Sequence, residues 1–96
     1  MSGKYFTVTG TRNYYGTGFL EPGMTVKLRK EPDNEHDAEA IRVEMKGLGR
    51  IGYVANSPYT VQGESMSAGR MYGMIGNKAK GVVKHVLPNG VLCELV

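Results

Sequence analysis

Residues 24–45, MTVKLRKEPDNEHDAEAIRVEM, decide the fold. In the first part of this stretch Val26 and Leu28 alternate with polar and basic residues, a period of two that is typical of a half-buried β-strand. Pro32 ends that strand, because it has no N–H to donate to a ladder and it restricts the residue before it. The alternation resumes at Ala40, so the stretch predicts two strands joined by a long loop.

This loop, residues 31–39, is longer than the about two to five residues of a plain hairpin. It contains Asp33, Asn34 and Asp37, whose side chains hydrogen-bond to their own backbone and stabilise turns. One interpretation is a purely structural turn. The other is a binding site, because an acidic loop of this length between two basic strands is more than a connection and functional residues concentrate on such loops.

Composition indicates one small folded domain. A chain of 96 residues can bury one core but not two, so we expect a single domain over residues 1–96. Hydrophobic residues make up 41% and charged residues 22%, which argues against wholesale disorder. The 14 glycines recur between short apolar runs, which favours short strands and tight turns over long helices.

Further alternating runs predict a small barrel. Gly52 lies inside one of them and indicates a bulge or a sharp bend. Between the fourth and fifth runs, Ser65 is the expected cap of a short helix that Gly76 ends, and Tyr59 is expected to pack on the barrel. The predicted class is mainly β with minor α, a partly open β-barrel of about six strands with one or two short helices. The strands are expected near residues 5–9, 24–30, 40–45, 50–54, 81–87 and 90–96.

Several kinds of chemistry have no signature here. The sequence lacks a phosphate-binding GxxxxGK[ST] loop, an HExxH pair and a paired-cysteine zinc pattern. Asp33 and Asp37 suggest one further hypothesis, a metal-dependent hydrolase. However, the loop has neither the central glycine nor the terminal glutamate of an EF-hand. We therefore expect no enzyme activity, no cofactor and no metal.

The location of the protein is predicted from what the chain lacks. It has one cysteine, Cys93, which excludes an internal disulfide and is interpreted as a buried structural thiol. No secretory leader is evident at the N-terminus, and no run approaches the about 20 apolar residues that span a bilayer. We expect a cytoplasmic protein without a membrane partner.

The first loop, TRNYYGTG at residues 11–18, carries Arg12, Tyr14 and Tyr15 at the end of a strand. Rings that stack on bases and a guanidinium that contacts phosphate are typical of nucleic-acid binding. The alternative is that one of the tyrosines folds back to cover the end of the barrel. The formal charge of +3 agrees with an anionic partner. The predicted strands carry Lys27, Arg29, Arg42 and Arg50.

Two motifs resemble the HIRAN domain family, LRKEPDNEHDAEAIRV at residues 28–43 and GLGRIGYV at residues 47–54. The family pattern is an acidic residue, Pro, any residue, Asn, two residues, Asp, and then Ala-Ile-x-Val. The GTRNYYG segment at residues 10–16 is similar to the family's first loop. The resemblance implies an OB-like barrel acting in DNA transactions, either fused to ATPases, helicases or nucleases or standing alone in bacteria and phages.

The resemblance also implies a pocket for the 3′ end of single-stranded DNA. Arg12 would approach a phosphate, and Tyr14 or Tyr15 would stack on a base. His36 stands where the family has tyrosine and would take the second stacking place, while Asp37 would accept a hydrogen bond from the terminal 3′-hydroxyl. Asn13 is inserted in the usual Arg-Tyr-Tyr, and the basic residues that follow the Gly-His strand in the family's fork-remodelling member are missing from this chain. The candidate binding residues are Arg12, Tyr14, Tyr15, Arg29, Asn34, His36, Asp37 and Tyr53.

The leading hypothesis is a non-catalytic module that binds single-stranded DNA at its 3′-hydroxyl end and serves DNA repair or replication-fork processing. Its expected partners are single-stranded DNA and a helicase, ATPase or nuclease acting in trans. The alternative is a protein–protein interaction module that docks its partner through the same loops.

Overall fold

Six strands form an antiparallel barrel in the computed structural model, which describes residues 4–96. A short 3-10 helix at Thr11–Asn13 and one short α-helix are the helical elements of these residues, so the predicted mainly β class with minor α content is confirmed. The elements are β1 (Lys4–Thr9), β2 (Thr25–Glu31), β3 (Ala40–Met45), β4 (Gly49–Val54), α1 (Ala68–Tyr72), β5 (Lys78–Leu87) and β6 (Gly90–Leu95).

The strands pair in the closed order β1-β4-β3-β2-β5-β6, with β6 returning to β1. We expected a partly open barrel, whereas the strands form a closed ring. The closure is weakest between β1 and β4. β1 meets β4 through only two residue pairs, Val8 with Val54 and Thr9 with Tyr53. The barrel therefore closes, but through its shortest pairing.

The alternation in the sequence fills the barrel interior. On β2, Val26 and Leu28 are buried while Lys27 and Arg29 are exposed, as the period of two predicts. Cys93 of β6 is fully buried, which confirms its structural role, and this burial raises the pKa of its thiol to about 12. The other fully buried large side chains include Phe6, Ile41, Ile51, Met71 and Val91.

Two register shifts bend the sheet. One lies between Val43 and Glu44 of β3, opposite the β4 segment that contains Gly52, where we expected a bulge or a bend. A Cβ on Gly52 would lie 2.7 Å from the carbonyl oxygen of Thr9, so only glycine fits where β1 crosses close to β4. The other shift, between Val83 and His85 of β5, explains why the valines of that strand do not keep one parity.

The segment between β4 and β5 differs from the sequence-based expectation. Ser67, not Ser65, caps α1, and its hydroxyl accepts the N–H of Arg70 at 3.2 Å. Ser65 instead bonds to Thr7 of β1, with the two hydroxyl oxygens 2.8 Å apart. Tyr59 is 94% exposed rather than packed on the barrel.

The helix also ends earlier than expected, and the next strand begins sooner. α1 ends at Tyr72 with Gly73 as its C-cap, whereas Gly76 was expected to stop it. β5 starts at Lys78, three positions before the predicted Gly81. None of the helices within residues 4–96 is long and apolar enough to cross a membrane.

Candidate nucleic-acid interface

A surface cleft of about 550 Å³ opens where the loop after β2 faces the outer side of β4. The first loop contributes one wall, so three separate parts of the sequence meet here. The lining residues are Tyr14, Glu31, Asn34, Glu35, His36, Asp37, Ala40, Arg50, Tyr53 and Val54.

Asn34 shapes the wall that the central loop provides. Its side-chain oxygen accepts the backbone N–H of His36 at 2.8 Å and of Asp37 at 3.1 Å. Its side-chain amide donates to Glu31 Oε1 at 2.9 Å. Asn34 therefore makes the local turn that such residues favour, and that turn presents His36 and Asp37 to the cleft. The structural interpretation of the loop and the binding interpretation are compatible.

Asp37 is held in place by hydrogen bonds on both of its carboxylate oxygens. Oδ1 accepts the N–H of Glu39 at 2.8 Å, and Oδ2 accepts from the side-chain amide of Asn56 at 2.9 Å. Asn56 is fixed in turn, because its side-chain oxygen accepts the N–H of Gly69 at 2.8 Å. An ionised carboxylate has about four acceptor sites, so Asp37 is oriented and still able to accept another donor.

The floor of the cleft is a polar network around Glu31. The Tyr53 hydroxyl donates to Glu31 Oε1 at 2.9 Å and accepts from Arg50 Nη1 at 2.8 Å. The other carboxylate oxygen of Glu31 lies 3.7 Å from Arg42 and 4.0 Å from Arg50. These contacts link β2, β3 and β4 across the outer face of the sheet.

The network shifts the pKa values of its members in opposite directions. Burial alone would raise the pKa of Glu31, but hydrogen bonds from Asn34 and Tyr53 and the charges of two arginines lower it overall. Burial, followed by the hydrogen bond to Glu31, raises the pKa of Tyr53. Glu31 is therefore ionised and Tyr53 is protonated at neutral pH, and a carboxylate and a phenol occupy the floor.

Tyr14 forms the aromatic wall, with the guanidinium carbon of Arg50 5.0 Å from its ring centroid. That distance is typical of a cation–π contact. The loop that carries Tyr14 folds back on itself, because the N–H groups of Tyr14 and Gly16 both donate to the carbonyl of Thr11 at 2.9 Å. Gly10 and Gly16 flank this turn with φ of 74° and 69°, a conformation that glycine adopts without strain.

The family model of the HIRAN domain matches residues 4–58, more than half of the chain. The chain belongs to the HIRAN domain family. The match contains all three segments whose motifs resemble the family, residues 10–16, 28–43 and 47–54. HIRAN domains are known as nucleic-acid-binding modules, and membership supports DNA binding in general.

Two solved structures are similar over nearly the whole chain. The crystal structure of the HIRAN domain of human HLTF matches with a TM-score of 0.69 and 21% identity, covering 98% of this chain and 73% of that one. A crystal structure of a protein from Lactobacillus plantarum matches with a TM-score of 0.64 and 26% identity, covering 96% and 88%. No curated protein matches the sequence at a significant level.

Five of the eight candidate residues line the cleft, and three lie elsewhere. Tyr15 does not line the cleft: its hydroxyl donates to the Leu48 carbonyl at 3.2 Å, and its ring meets Phe19 edge-on. Arg12 lines a separate groove beside Tyr59. Arg29 is exposed on the outer face of β2. The residues in the cleft are Tyr14, Asn34, His36, Asp37 and Tyr53.

Sequence reasoning did not place three charged residues of the cleft. Glu31 was counted only as the first residue of the loop and as the acidic residue of the family pattern, although it shares the outward parity of Lys27 and Arg29. Arg50 was noted as a basic strand residue without a role at the site, and Glu35 was not singled out. With Asp37, these residues give the cleft three carboxylates and one guanidinium.

Within residues 4–96, no group of three or more histidine, cysteine, aspartate or glutamate side chains has the spacing to hold a metal ion.

Proposed function

We propose that this chain binds the 3′-hydroxyl end of single-stranded DNA in the cleft, without catalysing a reaction, and that it serves DNA repair or replication-fork processing. One observation carries the proposal. An aromatic ring of the first loop, Tyr14, lines the same cleft as His36 and Asp37 of the central loop. A stacking surface and a hydrogen-bond acceptor are therefore available to one terminal nucleotide.

Each residue has a defined role in this proposal. Tyr14 stacks on the terminal base, which contributes about 1–3 kcal/mol without selecting a sequence. His36 supports the nucleotide from the other loop. Asp37, oriented by Asn56, accepts the hydrogen bond of the 3′-hydroxyl. Arg50 takes the phosphate contact in the cleft, because Arg12, to which the family pattern gives that role, lines a different groove.

The charge of the cleft favours an end over the middle of a strand. Arg42 and Arg50 compensate Glu31, whereas Asp37 makes no ion pair with any residue from 4 to 96, so a phosphate placed beside Asp37 meets an uncompensated negative charge. A 3′-hydroxyl brings a donor and no charge. Repulsion of a phosphate is thus the device by which the site distinguishes a free 3′-hydroxyl from an internal nucleotide or a phosphorylated end.

The residues outside the cleft fit the same role. We assign Arg12 and Tyr15 to nucleotides that precede the terminal one, and Arg29 to phosphates beyond the cleft. A binding surface made of these few residues contacts only a few phosphates, so we expect micromolar affinity with a shallow salt dependence. A module of this kind presents ends to a helicase, ATPase or nuclease acting in trans.

The first test compares single-stranded oligonucleotides of one sequence that end in a 3′-hydroxyl or a 3′-phosphate. We expect the phosphate to weaken binding by about tenfold or more, which corresponds to ~1.4 kcal/mol, because like charges about 4 Å apart repel by roughly 1 kcal/mol in water and about 4 kcal/mol near a protein surface. Fluorescence anisotropy measures both affinities. Equal affinities would contradict end recognition, and absence of binding at low salt would contradict the proposal as a whole.

Asp37→Asn tests the source of the discrimination. The amide keeps an acceptor for the 3′-hydroxyl but removes the negative charge, so the preference for hydroxyl over phosphate should shrink by about tenfold. Asp33→Asn is the matched control, because Asp33 is exposed in the same loop and does not line the cleft. If Asp33→Asn changes the preference as much as Asp37→Asn, the cleft is not its source.

A further inference from the structure

Four exposed cations form a second surface on the barrel, outside the cleft. Lys27 and Arg29 of β2 lie directly opposite Lys80 and Lys78 of β5 in the antiparallel register. All four side chains are exposed and line one shallow groove of about 330 Å³. We call Lys27, Arg29, Lys78 and Lys80 the basic face.

The basic face is small and closely spaced. Neighbouring strands lie about 4.8 Å apart, and residues two apart on a strand lie about 6.7 Å apart. The four Cα positions therefore outline a rectangle of roughly 5 by 7 Å. A phosphate above its centre is within reach of all four side chains.

The cations of the basic face have no ion-pair partner in the described part of the chain, although Glu44 of β3 lies opposite Lys27 in the register. Glu44 also lines the groove, but its carboxylate lies 2.6 Å from Arg42 Nε and is paired there. The acid that lines the groove is thus paired with a cation outside the basic face.

This arrangement opposes folding. Like charges directly opposite each other on adjacent strands are destabilising, and here two such pairs stand side by side. A surface that only had to be soluble would mix the two signs, as the pairing of Lys84 with Glu94 does on β5 and β6. An anionic ligand relieves this repulsion when it binds.

The chemistry of the face identifies the anion. No aromatic ring lines the groove, whose residues are three lysines, one arginine, Leu28, Glu44 and Ala79. Surfaces that hold single strands add rings for stacking, and protein interfaces are anchored by buried aromatic side chains. Cations alone contact the sugar–phosphate backbone, which a duplex presents on its outside.

We propose that the basic face binds the phosphate backbone of duplex DNA, independently of the cleft. The inference goes beyond the recognition of a 3′ end, and each can fail without the other. The two surfaces are also continuous, because Lys27, Arg29 and Glu31 are successive outward positions on β2. A DNA molecule with a duplex and a 3′ single-stranded tail can therefore occupy both.

The test uses a dumbbell duplex whose two strands are covalently joined by closed loops, so that it offers no end to the cleft. At about 50 mM salt we expect the wild-type protein to bind it, and Lys27→Gln and Lys80→Gln each to weaken binding roughly three- to tenfold. The slope of log affinity against log salt should become shallower by about 0.9 for each phosphate that the variant no longer neutralises. Tyr14→Ala should leave dumbbell binding unchanged while it weakens binding of the 3′-hydroxyl oligonucleotide.

Lys4→Gln is the matched control. Lys4 is an exposed lysine of β1, which lies across the barrel from β2 in the strand order, and its substitution removes the same charge. An equal effect of Lys4→Gln would show that net charge alone attracts the duplex and would overturn the proposal. It is also overturned if the dumbbell does not bind, or if the basic-face variants weaken only single-strand binding.

Lys80→Glu separates binding from folding. It replaces one repulsive pair by an attractive one opposite Lys27, so the melting temperature should rise while dumbbell affinity falls by more than with Lys80→Gln. A variant that is more stable and binds less cannot be explained by unfolding. Unchanged dumbbell affinity in this variant would contradict the proposal.

Discussion

Glu31 shows how one side chain joins the barrel to its binding surface. Its side chain is only 16% exposed, and its carboxylate receives hydrogen bonds from Asn34 of the central loop and Tyr53 of β4. Arg42 and Arg50 supply the positive charge that compensates it. A buried carboxylate is costly without such partners. The floor of the cleft therefore depends on Glu31 remaining ionised.

The pH dependence of stability should report this ionisation. The pKa of Glu31 in the folded protein lies below its ordinary value of 4.5, so the ionised group contributes stability above pH 4.5. That contribution disappears as the pH falls from 4.5 through the lower folded pKa. We expect the melting temperature of the wild type to fall more steeply than that of Glu31→Gln between about pH 5 and about pH 3.

Thermal denaturation followed by circular dichroism measures both profiles. Glutamine keeps an oxygen that accepts from Asn34 and Tyr53, so Glu31→Gln removes mainly the charge. Glu64→Gln, at an exposed glutamate between β4 and α1, is the control. Parallel profiles for the wild type and Glu31→Gln would show that Glu31 contributes nothing to the acid sensitivity.

At the scale of elements, the outer face of the sheet carries the chemistry. Arg29 of β2 lies opposite Lys78 on one side and Arg42 on the other, and Arg42 in turn lies opposite Tyr53. One row across four strands thus runs from the basic face to the floor of the cleft. The strands fix these positions more firmly than loops do, because the register is set by the buried row beneath them.

β4 keeps its place in this row only if Gly52 lets β1 approach. In Gly52→Ala the new Cβ would lie 2.7 Å from the Thr9 carbonyl oxygen and 2.9 Å from Val8 Cγ1. We expect a decrease of roughly 1–3 kcal/mol in the free energy of unfolding, as for other overpacked sites. Urea denaturation measures the change. Gly76→Ala, where no atom lies within 4 Å of the added Cβ, should change it by less than about 0.5 kcal/mol.

The strands and the central loop were predictable, because each depends on local signals. β2 and β3 follow from alternation, and the loop follows from turn-forming side chains such as Asn34. The sequence could not show which of Tyr14 and Tyr15 faces the cleft, because their directions depend on the fold of a loop between two glycines with positive φ. Ser65 was mistaken for the helix cap, because only the tertiary fold brings it to Thr7.

The charged floor of the cleft could not be predicted for a related reason. Arg50 and Glu31 are 19 positions apart and meet only once β2, β3 and β4 are paired in their register. The parity of Glu31 with Arg29 placed it on the outer face, but no local signal named its partners. Cross-strand partners are properties of the assembled sheet rather than of any segment.

At the scale of the whole molecule, the segment after β4 is held against the barrel by a buried polar residue. Thr7 of β1 is fully buried, and its hydroxyl contacts the Ser65 hydroxyl at 2.8 Å and accepts the N–H of Gln62 at 3.0 Å. Next to these contacts, Met66 donates its N–H to the Tyr5 carbonyl at 2.7 Å. The chain beyond the family match at residue 58 is thereby attached to its first strand.

Thr7→Val should loosen this attachment. The substitution keeps the shape of the side chain but leaves the Gln62 N–H without its acceptor, at a cost of about 1–3 kcal/mol. We expect faster amide hydrogen exchange at Gln62 and Met66 together with a lower urea midpoint. Thr25→Val, at an exposed threonine of β2, is the control. Unchanged exchange at Gln62 would show that Thr7 does not hold the segment.

The outward row Lys27, Arg29 and Glu31 imposes a rule on how this protein can change over time. A single inserted or deleted residue in β2 would slide the strand by one step, turning its charges into the barrel and Val26 and Leu28 out to water. The basic face and the cleft floor would be destroyed by the same event. Descendants of this sequence can therefore alter either surface by substitution, but β2 must keep its length.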